Sequence, residues 1–532
     1  MEWKIVSRRK DAAGPGAGAG SDSGSGSGPR PGSGSESGPR PGLGLKSGAS
    51  SELPDLALHF ALEGTTEIPE LNVGLTPGAC SLGRTTLLYG PPGGRHSAIV
   101  GLGAADVLNA ERLRHAAGAA SRVVRREGYA NAFVDLGVAA NGLGLSEENC
   151  VEAWAEGWLL GSYVFDRYKK SPSPPALLSM TLAIGGSSEK ERFAAIVRRA
   201  SLRAESVMLA RDWCNEPANV MTPEHLVEEI QRVFEDRPEI RVRIYRRGGE
   251  LERLGLNGLL AVGQGSPQSP ALVELTYASD PSQPLLALVG KGMTFDMGGM
   301  NMKTGRDLSE ARFDMGGAAA VAGAMEALAR GGVAANVVAL IAVADNVPGP
   351  GALLPSSVIR YSNGLTVQVG NTDAEGRLIL ADALLHARRL GAAEIIDIAT
   401  LTGSVGHALG LRVAGVWGDD GITEALRAIG EKCGDRVWPM PLVDDDEELL
   451  RSDYADLSNI SSSPYGGAVA AGLFLRRFVG EGVGWAHIDM ANTVQSPNDR
   501  GCETAGATGF GVRLLTDYVA ARAGRLKESA SK

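Results

Sequence analysis

The chain has 532 residues, 43% of them hydrophobic, and a formal net charge of −10. That length supplies one large or two medium globular domains. The negative balance disfavours nucleic acid as the main partner, and no apolar run reaches the length of a transmembrane helix.

Lys4, Arg8, Arg9 and Lys10 open the chain, but no apolar segment follows as in a secretory signal. Residues 11–50 are almost wholly Gly, Ser, Pro and Ala, with Pro-Arg-Pro-Gly at 29–32 and again at 39–42. Such a composition cannot bury apolar area, so residues 1–52 read as a disordered tail. Cys80, Cys150, Cys214, Cys433 and Cys502 lie far apart without CxxC spacing. They read as reduced thiols of a cytoplasmic protein.

Residues 53–186 read as a small α/β domain. Its expected strands are Thr85–Tyr89, Ala132–Leu136 and Leu177–Ile184, alternating with helices Ala104–Arg126 and Glu147–Tyr168. Gly90–Ser97 looks like a phosphate-binding loop, but His96 stands where that chemistry needs Lys. It is better read as a turn from strand to helix. Residues 187–216 form a linking helix. Thr222-Pro223 then supplies a cap and a first-turn proline for the next one.

From 217 to 532 strands and helices alternate strongly. The expected strands are Arg241–Tyr245, Gly258–Val262, Leu272–Tyr277, Leu285–Val289, Val337–Val343, 365–369, Ile395–Ala399 and Trp485–Met490. Helices are expected at Thr222–Phe234, Gly317–Ala329, Leu378–Leu390, Thr423–Lys432, Ala468–Val479 and Gly511–Ala523. Continuous apolar strands between helices indicate a doubly wound, mixed but mostly parallel sheet covered on both faces. The whole chain is thus α/β, a smaller N-terminal domain before a larger C-terminal one.

In such a sheet ligands bind beyond the carboxyl ends of the strands. Strand 365–369 leads into Asn371-Thr-Asp-Ala-Glu-Gly-Arg377, two carboxylates and a guanidinium within five residues. Carboxylates this close repel, and a multivalent cation relieves them. Taken alone, the heptad reads equally as a polar loop with a surface salt bridge. Other strands run into Lys291–Gly299, into Thr400-Leu-Thr-Gly403, and through His487 and Asp489. Asp296, Asp314, Asp373 and Glu375 carry four negative charges, the number two divalent ions neutralise, and two such ions activate water and polarise a carbonyl. The seven histidines are isolated, without HExxH, so a metal site here is carboxylate-based and suits Mg²⁺, Mn²⁺ or Zn²⁺. Lys303 could stabilise a developing oxyanion, and Arg377 offers a planar fork for a small anion. Taken singly, each fits a surface cation paired with an acid more readily.

Together these residues carry a resemblance. Lys291-Gly-x-x-Phe-Asp296-x-Gly-Gly, then Lys303, then Asp314-Met-Gly-Gly-Ala-Ala, then Asn371–Arg377 is similar to the leucyl (cytosol) aminopeptidase family. The likeness spans roughly 210–518. It implies that 217–532 is a metallopeptidase domain with two divalent ions, Mn²⁺ or Zn²⁺, held by Lys291, Asp296, Asp314, Asp373 and Glu375. It implies that Lys303 polarises the scissile carbonyl, and that Arg377 holds a bicarbonate acting as base. Peptides with a free N-terminus would be the substrates, and a homo-hexamer the assembly. Two positions depart from the family pattern. Met297 replaces an expected serine, and Ala311 stands where relatives place a methionine lining the first substrate pocket. The alternatives are a dipeptidase or Cys-Gly hydrolase with the same site, or a DNA-binding role through the basic stretches Arg122–Arg126 and Arg241–Arg247.

Overall fold

The computed structural model describes residues 1–7, 55–91, 94–137, 144–185, 189–305 and 307–530. The Gly/Ser/Pro-rich stretch lies outside them. The chain divides into two compact units. The smaller comprises residues 1–109, 122–152 and 174–197, and the larger 110–121, 153–173 and 198–532. The division falls inside three helices, α1 (Ala110–Arg126), α2 (Glu147–Gly161) and α3 (Lys190–Asn215). Within the segment read as a linking helix, α3 spans Lys190–Asn215, and the division falls inside it.

The smaller unit holds a six-stranded sheet. Its strands are β1 (Glu2–Ser7), β2 (Leu56–Leu62), β3 (Thr85–Leu88), β4 (His96–Gly103), β5 (Asn131–Asp135) and β6 (Ser179–Ile184), in the order β1-β6-β5-β2-β4-β3. All neighbours are parallel except β3 and β4. Two expectations change here. Residues 2–7 are not tail but an edge strand, anchored by Trp3, which is 3% exposed. Six residues beside a long Gly/Ser run carry too short a pattern to stand out. The phosphate-loop look-alike joins two antiparallel strands, with Leu88 opposite Ser97. It is a hairpin connection, and no helix follows whose N-terminus could face a phosphate; Pro92 and Gly93 lie outside the described residues.

The larger unit is built on an eight-stranded mixed sheet. The strands are β7 (Ile240–Arg246), β8 (Ala271–Ala278), β9 (Leu286–Asp296), β10 (Asn336–Asn346), β11 (Glu394–Ala399), β12 (Ala414–Gly418), β13 (Val437–Pro439) and β14 (Gly484–Asp489), ordered β13-β12-β14-β11-β9-β10-β8-β7. The centre, β14-β11-β9-β10, is parallel, and antiparallel pairings flank it. This is the α/β architecture the alternation implies.

Besides a five-residue helix at Glu250–Leu254, the helices are α4 (Pro223–Phe234), α5 (Asn257–Gly263), α6 (Gly316–Gly331), α7 (Glu375–Arg389), α8 (Gly403–Leu409), α9 (Asp420–Cys433), α10 (Gly467–Val479) and α11 (Val512–Ala530). Thr222 caps α4 by accepting the His225 N–H, with Pro223 in the first turn. Residues 316–329 of α6 and 375–387 of α7 are buried throughout. Helices buried on every side are part of the core.

Three readings of this unit are corrected. Gly258–Val262 lies in helix α5, because a short apolar run has no period of its own to separate strand from helix. The side chain of Asp382 on α7 accepts the Leu259 N–H at 2.8 Å, fixing the start of α5. Strand 365–369 is real over Thr366–Gln368, but it lies in a separate three-stranded sheet with Val358–Arg360 and Leu457–Ser458. The strand expected to end at Val289 runs on to Asp296, so Lys291 lies within a strand.

Candidate metal centre and catalytic cavity

Five segments bring the chemistry together. β9 supplies Lys291 and Asp296, and the loop after it supplies Lys303. A short 3₁₀ stretch, Ser309–Met315, supplies Asp314 just before α6. The turn leading into α7 supplies Asp373, and the first turn of α7 supplies Glu375 and Arg377. The loop after β11 adds Thr400. These residues line one cavity of about 630 Å³. Lys291, Asp296, Lys303, Asp314, Asp373, Glu375 and Arg377 all line it.

Lys291 is the floor, 2% exposed. Its Nζ lies 2.8 Å from both carboxylate oxygens of Asp314 and 2.9 Å from Oε1 of Glu375, and it donates to the Thr400 carbonyl at 2.8 Å. Thr400 Oγ1 donates to Asp314 at 2.6 Å. Across the cavity the Lys303 ammonium lies 2.6 Å from Asp296 and also contacts Asp373. The other oxygen of Asp296 accepts from Gly298 N–H and Asn346 Nδ2, each at 2.9 Å. Gly298 has φ +91°, which an L side chain rarely adopts, and this bend turns the loop back toward Asp373.

Gly376 lies inside α7. A Cβ there would come within 2.8 Å of Lys291 Cε and 2.9 Å of its Nζ. The glycine makes room for the lysine.

The electrostatics are those of a crowded anionic site. Burial, then the neighbouring Asp296, pushes the Glu375 carboxyl up to about 8. Burial raises Asp314 to about 6, with Asp296 adding to it and Lys291 opposing. Asp373 is raised by burial and by Asp296. Burial works against the charged form of Lys291, yet Asp314, Glu375 and Asp296 hold its pKa above the ordinary value. Oxygens of Asp296, Asp314 and Glu375 all lie within 4.8 Å of one another. Four carboxylates around two ammonium groups leave excess negative charge, so this donor set fits divalent cations.

Arg377 is buried, and burial lowers its guanidinium to about 10. One arm donates to the Asn459 carbonyl at 2.8 Å, and its Nε has no hydrogen-bond partner.

Several supporting residues carry no signal of their own in the sequence. Asn346 ends β10 directly opposite Asp296 in the parallel register, and it also donates to the Thr372 carbonyl at 3.0 Å. Asn459 accepts the N–H groups of Gly370 and Asn371 at 2.8 and 3.2 Å and donates to the Asn371 carbonyl at 2.7 Å. Of the two suspects on β14, Asp489 anchors the 401–402 loop, accepting from Leu401 N–H (3.1 Å), Thr402 N–H (3.0 Å) and Thr402 Oγ1 (2.6 Å). His487 is fully buried, 2.5 Å from Asp397 and stacked on Trp417, away from the cavity. Met297 acts through its backbone, donating to the Asn346 carbonyl at 3.0 Å and accepting from Lys303 N–H at 2.9 Å. Ala311, Phe313, Leu401 and Val494 give the cavity an apolar wall.

Comparison with known proteins gives the family. The model of the cytosol aminopeptidase family, catalytic domain, matches residues 208–516, and that of its N-terminal domain matches 80–172. The chain belongs to the cytosol aminopeptidase family. It is therefore an aminopeptidase, a metallo-exopeptidase by family. A probable cytosol aminopeptidase of Geotalea uraniireducens (strain Rf4) is 40% identical over 426 residues, 79% of this chain and 84% of that one. Another, from Geobacter sulfurreducens, is 39% identical over 447 residues, 83% of this chain and 88% of the relative. The solved structure of the bottromycin maturation enzyme BotP in complex with Mn is similar with a TM-score of 0.80 and 33% identity, covering 88% of this chain and all of BotP. No helix among the described residues is long and apolar enough to cross a membrane.

Proposed function

We propose that this cytosol aminopeptidase releases N-terminal residues from unblocked peptides with two divalent ions, Mn²⁺ or Zn²⁺, held by Lys291, Asp296, Asp314, Asp373 and Glu375. The observation that carries this reading is the convergence of those five side chains with Lys303 and Arg377 in one cavity. When bound, the ions supply Lewis acidity and an activated water. Lys291 would have to give up its proton to serve as a ligand.

Lys303 would stabilise negative charge on the scissile carbonyl oxygen. It is held between Asp296 and Asp373, so it needs little reorganisation when that charge develops. Arg377 keeps its Nε free of protein partners, which suits a bicarbonate seat; bicarbonate there would serve as the base. The apolar wall around Ala311 receives the substrate side chain, and without methionine at that position it has room for a bulky one. The family likeness also supports a cytoplasmic homo-hexamer, which equilibrium sedimentation would test. In the basic stretch Arg241–Arg247, Arg246 is 2.5 Å from Glu224 and Arg243 is 3.8 Å from Glu250, which lowers the charge two of its arginines could offer DNA.

With Mn²⁺ supplied, the protein should release N-terminal residues from free peptides and leave N-acetylated ones uncut. Asp373→Ala should abolish turnover while the circular dichroism spectrum stays that of the parent. Equal cleavage of acetylated and free peptides would rule out this reading, and cleavage restricted to dipeptides would favour the dipeptidase alternative.

A further inference from the structure

Next to the catalytic cavity the larger unit contains a second one, of about 190 Å³. Four guanidinium groups line it, Arg211, Arg412, Arg500 and Arg513, against two carboxylates, Asp435 and Glu503. Both carboxylates are committed. Asp435 accepts from Arg513 at 2.8 Å and from the N–H groups of Gly511 and Leu514 at 3.1 and 3.3 Å. Glu503 pairs with Arg500 at 3.7 Å.

Two cations are left over. The Arg412 guanidinium is exposed and has no hydrogen-bond or ion-pair partner among the described residues. Arg211 is 1% exposed. It donates to three backbone carbonyls, those of Thr508 and Leu160 at 2.8 Å and Cys502 at 3.2 Å, and to no carboxylate. Carbonyl dipoles satisfy its hydrogens without cancelling its charge. Burial depresses its pKa, and Glu503 acts on it only at longer range. A buried cation without a counter-charge is costly, and it is conspicuous in a chain of net charge −10.

We propose that this cavity binds a small divalent oxyanion of the sulfate or phosphate type. A divalent anion supplies the missing countercharge, and guanidinium forks match tetrahedral oxyanions in geometry and hydrogen bonding. Gln495 lines both cavities and donates to Glu310 on the catalytic side at 2.8 Å. Arg377 is therefore the rival seat for any added anion, and the test separates the two.

The full chain, supplied with Mn²⁺, is titrated calorimetrically with sodium sulfate at an ionic strength matched with sodium chloride. Saturable binding is expected. It should weaken at least tenfold in Arg412→Ala and in Arg500→Gln and stay unchanged in Arg377→Ala. Arg412 is exposed and Arg500 only half-buried, so both variants should fold, as circular dichroism will check. Arg412→Ala should also hydrolyse peptide at the parent rate without sulfate. No saturable binding overturns the proposal. So does binding lost in Arg377→Ala but kept in Arg412→Ala, or kept in all three variants.

Discussion

A methyl group at Gly376 would meet the end of the Lys291 side chain and not the backbone. The two effects of such a substitution therefore separate. Alanine is the better helix former by about 1 kcal/mol, so α7 loses nothing. Lys291 must move, and displacements of about 1 Å in a reacting site can cost on the order of 100-fold in rate. Gly376→Ala should keep its melting temperature and drop kcat by roughly that factor, read from amino-acid arylamide turnover beside elemental analysis for metal. A fall in melting temperature with unchanged kcat would contradict this placement of the lysine. At this scale the residues that carry charge were legible in the sequence. Asp, Glu, Lys and Arg crowded at strand ends need a reason, and a cation site provides one. Asn346 and Asn459 were not legible. An asparagine has no charge to explain, and Asn346 gains its role only when the β9–β10 register sets it opposite Asp296.

The elements divide the same way. β10, β11, β14, α6, α7 and α10 could be read from period and length because they are long and apolar. β9 was read short because Gly290, Lys291 and Gly292 look like a turn. They stay in the strand because Asp314 and Glu375 satisfy the lysine and because glycines admit close neighbours. α5 was misread for want of length, and its start depends on the buried carboxyl of Asp382. Burial raises that group well above the usual carboxylate range, so its hydrogen-bond acceptors matter more than its charge. Asp382→Asn keeps an acceptor for the Leu259 N–H and should unfold in urea within about 1 kcal/mol of the parent. Asp382→Leu strands that N–H in the core and should cost about 1–3 kcal/mol. Equal losses in both variants would show that packing, not acceptance of the N–H, fixes α5.

Across the larger unit, stability should respond to acid through a buried network that no single stretch of sequence announces, since its members are spread from Glu111 to Asp517. Glu156 accepts from Arg114 at 2.7 Å and from Arg203 at 2.7 and 2.8 Å, while Arg203 also reaches Asp517 at 3.0 Å. Glu111 contacts Arg114 and lies 3.2 Å from His115. Burial works to raise the Glu111 carboxyl, and Arg114, His115 and Arg513 overcome it, holding it at about 2 against an ordinary 4.5. A depressed carboxyl stabilises the fold above its unfolded pKa and loses that contribution as pH falls through the folded one. The loss should therefore run from about pH 4.5 down to 2 and amount to something on the order of 3 kcal/mol. In urea unfolding followed against pH, the gap between the parent and Glu111→Gln should close over that window. A gap constant with pH would mean that Glu111 contributes shape and not charge.

The tie between Asp489 and the loop at 401–402 also sets a clock. Glu375, the last of the four acidic groups in the cavity, is synthesised roughly 110 residues before Asp489, and ribosomes add about 5–20 residues per second. For roughly 6 to 23 s the nascent chain carries all four of those acids without the last support of the cavity. A chain truncated before Asp489 should therefore be inert toward peptides, which an arylamide assay of the released chain would check.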